Sequence, residues 1–167
     1  GGWARLRRAL LPRAVGSIFR LGGGCGTGED AARRAAAAVR TFAAAGPRTL
    51  LAYGAVYKAS MDGAFRAAEE HGIRAILGKV MMDRGTYDTT IDQTTILDRS
   101  VRESEELIAT WHGADGGPLG YAVPPRFAIS CTPEMLRKSA APAARTRPCV
   151  QTPRSEEPRR AAARAAP

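Results

Sequence analysis

Apolar runs and amphipathic stretches alternate along this chain, and their periods predict a regular succession of elements. Thr27 and Asp30 have capping-box spacing ahead of the helix formers Ala31 to Ala45, and Gly46-Pro47 stops that helix. Thr49 to Gly54 (TLLAYG) reads as a buried strand. Ser60 is placed to cap a second helix running to about His71, with Gly72 at a left-handed C-terminal cap. Arg74 to Met82 (RAILGKVMM) reads as the next strand. Leu97, Val101, Ser104, Ile108 and Trp111 recur at helical spacing, and Gly113 ends that helix. A strand follows across Gly120 to Ser130 (GYAVPPRFAIS). Thr132-Pro133-Glu134 combines a capping hydroxyl, an early proline and an acid, so it starts a fourth helix, which Pro142 is expected to interrupt. Cys149 to Thr152 is the last strand.

The order is a helix, then strand and helix three times, then a strand. Apolar strands alternating with amphipathic helices imply an α/β fold with a parallel sheet and right-handed crossovers. A doubly wound sheet and a piece of a (β/α) barrel both fit. In either, ligand groups belong at the C-terminal ends of the strands.

Length and charge narrow the function. At 167 residues the chain is one domain or part of a larger one. The net charge of +9 invites a nucleic-acid reading, but its location argues against one. Residues 1–20 carry five Arg and no acid, and residues 133–167 carry eight Lys or Arg against three acids. The middle, 21–132, has 12 basic and 13 acidic residues. The excess sits in ends built of Arg with Ala and Pro, which read as solvated and partly disordered, so no nucleic-acid partner is expected. No apolar run approaches the ~20 residues of a membrane span, and Ala9-Leu10-Leu11 is too short for a signal-peptide core. No membrane partner is expected and the setting reads as cytoplasmic. Cys25, Cys131 and Cys149 are odd in number and widely spaced, which suits buried or partly buried thiols better than a disulfide framework.

Most catalytic constellations are absent. His71 and His112 each sit just before a helix-stopping glycine, where a cation suits the helix dipole. Gly22 to Gly28 is glycine-rich, but no Gly-Lys-Ser/Thr follows and it reads as a linker. Pro148-Cys149 lacks the second cysteine of a cytidine-deaminase signature. Three strand-end segments stand out: YGAVYKAS at 53–60, GKVMMD at 78–83 and YAVPPRFAISC at 121–131. Turn chemistry and core packing account for each one alone.

Together, in this order, the segments resemble guanine deaminases of the amidohydrolase superfamily. Those carry Thr-Thr-Ala-x-x-Tyr-Gly, Gly-Lys-Val-x-Met-Asp and Thr-Pro-Arg-Phe-x-x-Ser-Cys strand ends, and QTPRSEE at 151–157 is similar to their Gln-Thr-His-Leu-Ser-Glu. The resemblance covers roughly residues 46–157. It implies a (β/α)8 (TIM-like) barrel that hydrolyses guanine to xanthine and ammonia, with a zinc-activated water and a glutamate that shuttles the proton. By position it assigns Arg126 and Phe127 to substrate binding and Glu156 to catalysis. It implies guanine or a related purine as partner, and family members are often homodimers.

The sequence also departs from the family. No His-x-His pair marks a first strand, Pro153 stands where the motif has its histidine, and Tyr57 and Pro124 replace a usual His and Thr. Zinc is the family's cofactor, but no ligand set for it is retained in this chain. The expectation is therefore an incomplete barrel of roughly strands two to five, inactive alone, with open sheet edges. Residues 1–28 are expected to be a basic, Gly-rich disordered end, 29–157 the partial barrel, and 158–167 an Ala/Arg-rich tail. A truncated or degenerate guanine deaminase fits the motif order. A non-catalytic α/β purine-binding or interaction module fits the lost histidines, and a basic nucleic-acid-binding protein is the weaker third reading.

Overall fold

The computed structural model describes residues 28–84, 91–126, 130–146 and 148–152. Helix α1 (Gly28–Ala44) has Glu29 and Asp30 in its first turn, where negative charge suits the helix dipole. Strand β1 (Thr49–Tyr53) leads to α2 (Lys58–Glu70) and β2 (Arg74–Gly78). Helix α3 (Gln93–Trp111), a short 3-10 turn (Ala114–Gly116) and β3 (Leu119–Val123) follow. Helix α4 (Pro133–Thr146) and β4 (Cys149–Val150) complete the described chain. The alternation expected from the periodicity is therefore observed.

The strands form one parallel sheet in the order β1-β2-β3-β4. Thr49 to Tyr53 pair with Arg74 to Gly78, and Ala75 to Leu77 pair with Leu119 to Tyr121. Helices α1 and α2, α2 and α3, and α3 and α4 pack on one another in chain order, so they form one layer. A doubly wound sheet reverses its strand order and places helices on both faces. Sequential parallel strands under one helix layer are the arrangement of a (β/α) barrel.

Side chains alternate across the pleat accordingly. Ala75, Leu77, Leu119, Tyr121 and Val123 are buried. Leu51, Ile76 and Gly120 share a row on the opposite face, and Leu51 is 61% exposed there. Three aromatic rings join the layers. Phe65 of α2 stacks on Trp111 of α3 at 5.4 Å between centroids and on Tyr121 of β3 at 6.5 Å. The Trp111 Nε1–H donates to Asp62 Oδ1 at 2.8 Å, satisfying the indole at the edge of the stack.

Element boundaries differ from the sequence reading in several places, and β4 stops at Val150, short of the expected Thr152. Helix α2 starts before Ser60: Tyr57 is its N-cap without a side-chain hydrogen bond, and Ser60 is buried inside the helix. Strand β2 ends at Gly78 and β3 at Val123, because beyond them the regular ladder gives way to an isolated bridge at Met81–Pro125. Helix α4 runs through Pro142. One lost hydrogen bond is tolerated there, since Ala140, Ala141, Ala143 and Ala144 are strong helix formers. Helix α3 begins at Gln93, where Asp92 accepts from the Thr95 N–H at 3.0 Å. The Thr27 half of the expected capping box lies outside the described residues.

The three glycines expected at helix ends are found there, with Gly46 at φ 100°, Gly72 at φ 60° and Gly113 at φ 81°. Gly63 serves a different need. A Cβ there would sit 2.5 Å from the Ala32 carbonyl oxygen of α1, so the glycine lets the two helices touch backbone to backbone. Gly63→Ala should destabilise the chain by roughly 1–3 kcal/mol although alanine is the better helix former, because the steric cost outweighs the propensity gain. Urea melts of the two proteins compare them directly, and a stabilised variant would contradict this helix contact.

Candidate functional site

The parallel sheet brings the C-terminal ends of β1, β2, β3 and β4 to one side, and Arg126 emerges there just past β3. Its backbone is held from both neighbouring strands. The Arg126 N–H donates to Met81 O at 2.9 Å, and the Met81 N–H donates to Pro124 O at 3.1 Å. On the β4 side, the Thr152 hydroxyl donates to Arg126 O at 3.3 Å. The Tyr53 hydroxyl, from the end of β1, donates to Pro125 O at 2.8 Å. Arg126 is half-buried, and its Nη1 lies 3.5 Å from Met82 Sδ.

Beside it opens a cavity of about 660 Å³, lined by Arg126, Tyr53, Val56 and Tyr57 and floored by apolar residues such as Phe42 and Leu50. Such a volume is in the range of small-molecule pockets. Arg126 supplies a rigid donor fork to a mostly apolar space whose lining also includes Arg34 and Ser60, which suits a flat, acceptor-bearing ligand. Phe127 and Glu156, the other two residues assigned by resemblance, lie outside the described residues.

Sequence reasoning missed two features of this mouth. Gln151, just beyond β4, donates its N–H to Val123 O at 3.0 Å, and its buried side-chain Oε1 has no hydrogen-bond partner among the described residues. Asp83 is 1% exposed and its carboxylate grips Thr132, with Oδ1 accepting the Thr132 N–H at 2.7 Å and Oδ2 accepting its hydroxyl at 2.5 Å. Only the buried acid directly after an apolar run hinted at this; the partner is far along the chain.

Lys79, in the GKVMMD segment, points away from solvent altogether. It is fully buried, with Nζ 3.4 Å from Glu103 Oε2 and donating to Ser100 Oγ at 3.2 Å. Burial pushes the Lys79 ammonium below its ordinary pKa, and the Glu103 charge opposes that shift. Arg99 supports Glu103 from one turn away at 2.9 Å. The Lys79 N–H donates to the Tyr121 hydroxyl at 3.2 Å, and burial pushes that hydroxyl up to about 12. This network ties the end of β2 to α3.

The thiols divide. Cys131 is buried and its Sγ–H donates to Met81 O at 3.4 Å; burial, then the Asp83 charge, push it up to about 11. Cys149 is exposed, contrary to the expectation of a buried or partly buried thiol, because β4 is a sheet edge among the described residues.

The described residues do not fit a zinc ion. No three of their His, Cys, Asp and Glu side chains come together as ligands. His71 and His112 sit at the C-caps of α2 and α3, as the sequence placed them, and His112 Nδ1 accepts the Tyr121 N–H at 3.1 Å. Both Asp83 oxygens are engaged by Thr132.

Comparison with known proteins agrees with this geometry. A family model, the amidohydrolase family, matches residues 6–150. The chain belongs to the amidohydrolase family. It is 42% identical over 91 residues to guanine deaminase of Escherichia coli (strain K12), a stretch that covers 54% of this chain and 20% of that protein. A probable guanine deaminase of Deinococcus radiodurans is 34% identical over 100 residues, covering 60% of this chain and 22% of the relative. The solved structure of E. coli guanine deaminase superposes with a TM-score of 0.77 at 31% identity, over 87% of this chain and 33% of that one. The chain thus spans a fifth to a third of the length of these relatives, and its parallel sheet is part of the family's (β/α) barrel. None of its described helices is long and apolar enough to cross a membrane.

The buried ion pair supplies a test of the electrostatics. Glu103→Leu strands the Lys79 charge and should cost roughly 3–5 kcal/mol near neutral pH. Lys79→Met should cost less, since Glu103 keeps Arg99. Lys79 has a folded pKa below its ordinary 10.5, so its contribution to stability rises as pH increases from the folded value to 10.5. Without the Glu103 charge the Lys79 pKa falls further, so the Glu103→Leu deficit should shrink as pH rises from that lower value to the wild-type folded value. Denaturant melts at several pH values measure this, and a pH-independent deficit would contradict it.

Proposed function

We propose that this chain carries the purine-holding strand ends of a guanine deaminase, which hydrolyses guanine to xanthine and ammonia in a cytoplasmic setting. The supporting observation is the placement of Arg126 at the strand-end mouth, beside a cavity and held by β2 and β4, within a stretch similar to guanine deaminases. In this reading the Arg126 guanidinium donates to the purine carbonyl and ring nitrogen, Phe127 stacks on the base, and Glu156 carries the proton. Zinc, the cofactor of the family, supplies the activated water in such enzymes. The described residues offer no ligand set for it, so the steps assigned to this chain are binding and proton carriage only.

Stacking on one aromatic face contributes about 1–3 kcal/mol, and charge-assisted arginine hydrogen bonds add about 1.5–3 kcal/mol. These terms must offset the entropy of association, so the affinity of the chain alone is expected to be roughly millimolar or weaker. A second reading, a purine-binding module without catalysis, is favoured by Pro153, which stands where the family motif has histidine and cannot ligate a metal.

NMR titration of the full chain with a soluble guanine analogue tests the purine site. Shifts around residues 126–131 and 151–157, abolished in Arg126→Ala, are the expected result. An unresponsive wild-type protein would end the reading. Xanthine formation with added zinc separates the two versions, since turnover supports the deaminase and binding without turnover supports the module.

A further inference from the structure

The segment after β2 and the segment after β3 run side by side well beyond the sheet. Met81 engages the outgoing limb: its N–H donates to Pro124 O at 3.1 Å and its carbonyl accepts the Arg126 N–H at 2.9 Å. Two residues later the same segment engages the returning limb. The Asp83 and Arg84 N–H groups donate to Ser130 O at 3.1 and 3.0 Å. The Asp83 carboxylate takes both the N–H and the hydroxyl of Thr132. The arc from Pro124 to Thr132 is therefore fixed at both ends by residues 81–84, and Arg126 lies at its first end.

We infer that Asp83 is a positioning residue, whose carboxylate ties this segment down and so sets the placement of Arg126 at the purine site. The inference rests on the purine reading above and deepens it.

The competing role is helix capping alone, since Thr132 precedes α4 and its hydroxyl accepts the Met135 N–H at 3.0 Å. Capping alone does not explain the cost of the arrangement. Thr132 caps α4 with its own oxygen, and Pro133 has no N–H to satisfy. An Asp83 carboxylate that is 1% exposed, with no Lys or Arg in salt-bridge contact among the described residues, carries a desolvation cost that a solvent-facing cap would avoid. What the buried carboxylate adds is the tie between two strand ends. The Asp83 carbonyl is fixed as well, accepting from Gln93 Nε2 at the start of α3 at 3.0 Å, so the anchor does not move. Holding a binding side chain on a closed arc removes motions that would otherwise be lost on binding.

The experiment uses the full chain with three substitutions, Asp83→Asn, Thr132→Val and Thr132→Ser. Amide hydrogen exchange is read at Arg126, Thr132 and Met135 without ligand, and purine affinity by NMR titration. Asp83→Asn and Thr132→Val should each speed exchange at Arg126 by about tenfold or more, because local opening then no longer breaks the closing hydrogen bonds. Both should weaken purine binding, and the double variant should lose no more than either single one. Thr132→Ser keeps both groups that Asp83 binds and should behave as the wild type, which guards against a general folding defect. Faster exchange at Thr132 and Met135 with Arg126 unchanged would reduce Asp83 to a helix cap and overturn the inference. Unchanged purine affinity in Asp83→Asn, against a wild type that binds, would overturn it too. If the wild type binds no purine, the purine reading fails, while the Arg126 exchange rates still report whether Asp83 closes the arc.

Discussion

The ring of Tyr121 is the contact through which sheet and helix layer hold together. It is 1% exposed, stacks on Phe65, and through Phe65 reaches Trp111, so one aromatic column joins β3 to α2 and α3. Aromatic burial of this kind removes large areas from water. Its hydroxyl cannot be left unpaired in such a place, and it accepts the N–H of Lys79 at the end of β2. The column thereby also fixes where β2 stops and where the buried Lys79 meets Glu103. The site-bearing segments begin at this point, and their placement depends on it.

Beyond the column, the chain trades sheet hydrogen bonds for specific ones. Gly78 closes β2 at a point where a side chain would collide with the Ala122 carbonyl and the Pro124 ring, and the ladder stops there because the two prolines 124 and 125 cannot donate to it. The strands do not fray, however. Met81, Asp83 and Arg84 replace the regular ladder with bonds to Pro124, Arg126, Ser130 and Thr132. An irregular backbone held this tightly is how a barrel presents ligand-facing groups from rigid elements. The opposite face of the sheet, with Leu51 61% exposed, has no covering layer among the described residues.

Much of this was legible in order and period. Apolar runs spaced by amphipathic helices announced parallel strands, and the glycines at 72 and 113 marked helix ends because their backbone must turn left-handed. The Thr132-Pro133-Glu134 start is also as read. Local chemistry misled where burial overruled it: Ser60, a good cap by type, is inside α2, and Pro142, a breaker by type, is carried by its alanine neighbours. The motif order pointed to the amidohydrolase family, which the match over residues 6–150 bears out. Of the site residues, Arg126 alone falls among those the structure describes.

By itself the sequence determined the succession of helices and strands, the parallel class of the sheet and the family, because these follow from short-range periodicity and from segments that can be compared in order. It left open whether the sheet was doubly wound or a barrel segment, since strand order depends on which elements pair across the chain. It also gave no sign that Asp83 would grip Thr132, 49 positions away, or that Lys79 would lie buried against Glu103. Those contacts arise only when folding brings separate strand ends and helices together, and burial then forces each polar group to find a partner.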